Sequence, residues 1–73
     1  MQASDLALIT LRRELGERYE RLTRLWHGAR STYRRLHEAQ VQDLGALRSA
    51  AARLDQLTRG RAALLRDLKA LSD

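Results

Sequence analysis

The chain has 73 residues, no Cys and a net charge of +5, which allows one domain at most and gives a small core no disulfide support. No apolar run reaches the ~18 residues of a membrane span. Fifteen Leu, 11 Ala and 13 Arg stand against one Val, one Ile and no Phe, so good helix formers are abundant, strand formers are nearly missing, and a sheet protein is excluded. The start, MQASDLALITLRREL, lacks a basic segment ahead of its short apolar stretch and lacks a small-residue cleavage site. No Sec signal peptide is expected there, and a cytoplasmic location follows as the expectation.

The first element is expected to be a helix over about residues 5–38, with Ser4 or Asp5 as its cap. Leu8, Arg12, Leu15, Tyr19, Leu22, Trp26, Ala29, Tyr33 and Leu36 recur in steps of four and three, the spacing of a coiled-coil seam. That phase runs straight through Trp26-His27-Gly28, where a turn would reset it. Gly28 then falls on the outer face, where it costs about 1 kcal/mol against Ala without breaking the helix. Glu14–Arg18, Glu17–Arg21 and Glu20–Arg24 offer three outer ion pairs with the acid N-terminal, each worth roughly 0.2–0.5 kcal/mol.

The turn is expected over about residues 39–44. Gln40 and Asp43 are consecutive polar residues at seam positions and Gly45 follows, a combination found nowhere else in the chain. A bend at His27–Ser31 is the alternative. Asp43 is placed to cap a second helix over about 44–71. Its seam continues through Leu47, Ala50, Leu54, Leu57, Arg61, Leu64, Leu68 and Leu71. Arg61 is the irregular member, with a stem long enough to reach out of the seam.

The result is an all-α antiparallel helical hairpin, coiled-coil-like, occupying residues 1–73 as one domain. With the turn centred near 41, residues whose numbers add to about 82 face each other. Tyr33 then meets Ala50, Ala29 meets Leu54 and Trp26 meets the neighbourhood of Leu57, so large opposes small. Straight rods do worse: a parallel pair stacks Arg12, Asp43 and Arg61 on themselves, and an antiparallel pair sets Arg12 beside Arg61. Ile9, Leu44 and Leu65 flank the seam on one side, and Leu11 and Leu25 on the other. This apolar stripe is wider than two helices can cover. A bundle completed by a second hairpin or by another protein's amphipathic helix is therefore expected.

Leu15, Tyr19, Leu22, Leu25, Trp26 and Tyr33 form the candidate partner-binding strip, since Trp and Tyr dominate interface energetics. The same aromatic ladder also reads as the hairpin's own core. Arg30, Arg34 and Arg35 are the densest basic patch, read either as a grip on phosphates or acidic surfaces or as a solvated helix face. His27 and His37 are ten residues apart with no acid or Cys arranged around them, so no metal site is expected. No nucleophile–base pair, Gly-rich phosphate loop or facing carboxylate pair occurs, so neither catalytic activity nor a cofactor is expected.

Trp26-His27-Gly28 resembles the WxG element of small helical hairpins exported by type VII secretion. In that family the element sits in the turn and a Tyr-x-x-x-Asp/Glu signal follows it. Here Tyr19 and Tyr33 are followed four residues later by Thr23 and His37. Residues 38–71 are similar to small chaperones and coiled-coil factors of flagellar and type III secretion systems. The similarity lies in Leu pairs around a basic residue and a Leu-Leu step, at Leu54, Leu57, Arg61, Leu64 and Leu65. That resemblance implies a cytoplasmic chaperone or assembly factor that shields a client helix. The functional expectation is thus a non-enzymatic protein–protein interaction module. Two other readings stand beside it: a basic nucleic-acid-binding or architectural helix pair using Arg30, Arg34, Arg35 and Arg48, and a coiled-coil dimerisation scaffold.

Overall fold

A computed structural model of the chain describes residues 3–39 and 43–72. Two helices account for nearly all of them, α1 over Ala3–Glu38 and α2 over Leu44–Ser72. They pack along each other as an antiparallel hairpin. Their ends fall within two residues of the spans read from the heptads. The alternative bend at His27–Ser31 is absent, because α1 runs unbroken through it. Gln40 lies outside the described residues.

Asp43 does cap α2. Its Oδ1 accepts the Ala46 backbone N–H at 3.0 Å, and its carbonyl accepts the first intrahelical bond, from Leu47 N–H, also at 3.0 Å. Such a cap contributes about 1 kcal/mol. Gly45 belongs to the first turn of α2 rather than to the connection. The expected cap of α1 at Ser4 or Asp5 is not borne out: the helix spans Ala3–Glu38, which puts both residues inside it. Asp5 sits in the first turn, where its charge opposes the positive end of the helix dipole.

Burial follows the heptads. Leu15, Tyr19, Leu22, Trp26, Tyr33 and Leu36 of α1 are half-buried, as are Leu47, Ala50, Leu54, Leu57, Leu64 and Leu68 of α2. The facing pairs sit within two residues of the expected register. Trp26 meets Thr58, Thr23 meets Arg61 and Leu22 closes over Gly60. A methyl group added at Gly60 would lie 3.1 Å from Leu22 Cδ2, so Leu22 packs directly on the α2 backbone here because residue 60 has no side chain.

The seam fails at its open end. Leu8 is 39% exposed and Arg12 lies at the surface, although both occupy seam positions. The Arg12 guanidinium donates to the Leu71 carbonyl, which places the last turn of α2 opposite Arg12. Residues before it overhang that turn, and Leu6 and Ile9 remain about half exposed. Arg12 satisfies a C-terminal carbonyl and faces the negative end of α2, a favourable use of a cation. The three expected acid–arginine pairs on α1 do not close to 4.0 Å; among the described residues the single ion pair is Asp55–Arg59, at 3.1 Å. An exposed pair gains so little that ordering two long side chains offsets it.

Candidate interaction site

Two helices side by side can shield only a strip. Among the described residues Ala29, 8% exposed, is the one buried apolar residue, and no side chain is fully withdrawn from water. The chain exposes 5970 Å², whereas a compact monomer of this mass exposes about 4,600 Å². Its radius of gyration is 17.0 Å against about 11 Å for a compact chain of equal length.

Trp26 organises the middle of the seam. Its Nε1 donates to Thr58 Oγ1 at 2.8 Å, and Thr58 in turn donates to the Leu54 carbonyl at 2.8 Å. The Arg61 guanidinium lies 4.8 Å from the Trp26 ring centre and 5.4 Å from that of Tyr19. Arg61 Nε also donates to Thr23 Oγ1 at 3.1 Å. Arg30 approaches the Trp26 ring from its own helix at 5.4 Å. The seam arginine is therefore half-buried between two aromatic rings and tied across to α1, with its cation facing the electron-rich ring faces. Thr23, Thr58, Gly60 and Arg61 join the site through the register of the two helices and are not among the residues expected from the sequence.

The expected partner-binding strip divides. Leu15, Tyr19, Leu22, Trp26 and Tyr33 lie along the seam and are half-buried by α2, while Leu25 stands outside it, 50% exposed. The basic patch divides as well. Arg30 and Arg34 line a shallow concavity with His27 and Ser31. Arg35 lies in a separate groove of about 500 Å³ with Arg24 and Arg53, floored by Gly28, Ala29 and Ala50 and edged by Leu25. A second apolar recess, formed by Leu11, Leu15, Ala70 and Leu71 with Asp67 at its rim, lies toward the open end. Among the described residues no three His, Cys, Asp or Glu side chains gather as metal ligands, and no helix is long and apolar enough to cross a membrane.

These features define a class of structure: an antiparallel helical hairpin with a polar-aromatic clasp at mid-seam and an unfinished core. Compared with protein-family models, curated proteins and solved structures, the chain matches none.

Proposed function

We propose that this hairpin is a non-enzymatic protein–protein interaction module that completes its core with helices from outside. The observation that carries the reading is the unfinished core: among the described residues Ala29 alone is buried, while Leu11, Leu25, Leu44 and Leu65 stay 40–61% exposed. Stability comes from apolar area removed from water, at roughly 25 cal/mol per Å². A hairpin that leaves this much outside gains from any amphipathic helix that covers it. An assembly factor or small chaperone that shields a client's apolar helix is the most concrete form of this reading, in keeping with the resemblance of residues 38–71 to secretion-system factors.

The test is to measure solution mass, thermal unfolding and binding of a hydrophobic dye on the full chain at about 1 and 100 μM, a span wide enough for association to shift the midpoint by mass action. The expected result is an associated, cooperatively melting species, or a monomer that binds dye and melts broadly. A monomer that melts sharply and binds no dye has no unfinished core, and the reading fails.

A further inference from the structure

We infer that the occupant of the open core is a second copy of this chain, docked antiparallel across the face that carries Leu11, Leu25, Arg53, Gly60 and Asp67. The inference rests on the proposed interaction function and names its partner and its surface. In heptad terms these five residues flank the seam on one side. The middle of the opposite side is occupied by the hydrogen-bonded set Trp26, Thr58, Thr23 and Arg61, with Arg30 over the ring, while Ile9, Leu44 and Leu65 stay exposed on either side of it.

Charge selects the arrangement. Toward the turn, this face has Arg35 and Arg53 in a groove that Arg24, level with Gly60, also lines; toward the open end, its recess has Asp67. None of the three arginines makes an ion pair among the described residues. Two symmetric dockings of like faces exist. If the two turns lie together, the arginine groove of one copy meets that of the other. If the copies run antiparallel, with the two-fold axis at Gly60, Arg53 of each copy meets Asp67 of the other, since the two residues lie seven positions on either side of Gly60. Each pair then sits about 10 Å along the helix from the axis. Like charges facing each other oppose the first arrangement, and two opposite-charge pairs favour the second.

Size and shape agree with this choice. At the axis Gly60 adds no projecting side chain, and Leu22 of the same copy closes over it. Leu25 lies about 4 Å along α1 from the level of the axis and is half exposed, so it packs against its own copy. The hairpin measures 60 × 15 × 15 Å, and such a face supplies the ~800 Å² per partner of a stable interface. The chain's excess exposure over a compact monomer is larger than that area, so a dimer accounts for much of it.

Sedimentation of the full chain tests the proposal. A mass of twice 8.4 kDa is expected at about 50 μM, with R53E and D67R each weakening the dimer at least about tenfold and the R53E/D67R double variant returning to within about threefold of the parent. Both residues are exposed, so helicity by circular dichroism should not change. A parent that stays monomeric at about 100 μM overturns the dimer. If that monomer binds hydrophobic dye, the interaction function survives with a different partner; if it melts sharply without dye, both fail. A dimer indifferent to either single exchange, or not recovered in the double variant, overturns this face and this geometry.

Discussion

Trp26→Ala is expected to cost about 3 kcal/mol, the lower end for losing a large aromatic from a packed site. For a chain this short the midpoint of a thermal melt falls by about 15 °C. Three losses coincide: the half-buried ring, the 2.8 Å bond to Thr58 Oγ1, and the surface on which Arg61 stacks. Trp26→Phe separates them. It keeps an aromatic ring and removes only the N–H donor, so about 1 kcal/mol should be lost. Circular dichroism melts at one fixed chain concentration make the comparison. A Trp26→Ala shift inside about 0.5 kcal/mol, the range of an ordinary surface substitution, would place the ring in solvent and remove the clasp.

Arg61→Ala is expected to cost about 2 kcal/mol: two cation–ring contacts at about 0.5–1 kcal/mol each and a cross-helix hydrogen bond of similar size. Arg61→Lys keeps the charge but loses the flat guanidinium and the Nε donor to Thr23, so about 1 kcal/mol should still be lost. Because Arg61 and Trp26 touch, their losses should not add. A double-mutant cycle should give a coupling of about 1 kcal/mol. If Arg61 were merely a tolerated charge, Arg61→Ala would leave the melt unchanged and the coupling would vanish.

The helices, the direction of their packing and the position of the connection were legible in the sequence. The 4,3 spacing of Leu15, Tyr19, Leu22, Trp26, Ala29, Tyr33 and Leu36 carries through His27-Gly28 without a phase change. Asp43 has the oxygen that a helix start needs, and it takes up that role. The clasp was not legible. An arginine in a seam reads as a defect until the rings that flank it are known, and Tyr19 and Trp26 reach Arg61 only once the register is set to within a residue. Gly60 was silent for the same reason: its meaning lies in the approach of Leu22 from the other helix. The overhang that exposes Leu8 depends on where α2 stops relative to α1, which no repeat encodes. The outer ion pairs were read from spacing alone, and spacing fixes only that two side chains can meet.

The clasp and the docking face both require the chain to reverse between Glu38 and Asp43. Spin labels on cysteines introduced at exposed Glu14 and Lys69 test this by a pulsed-resonance distance, with labelled chain diluted in unlabelled to isolate the intramolecular value. The hairpin sets the two positions at one level on helices about 10 Å apart, so a single distance under about 30 Å is predicted. A separation near 80 Å, the length of one continuous helix between them, or near 40 Å, as a reversal at His27–Gly28 would give, would contradict it.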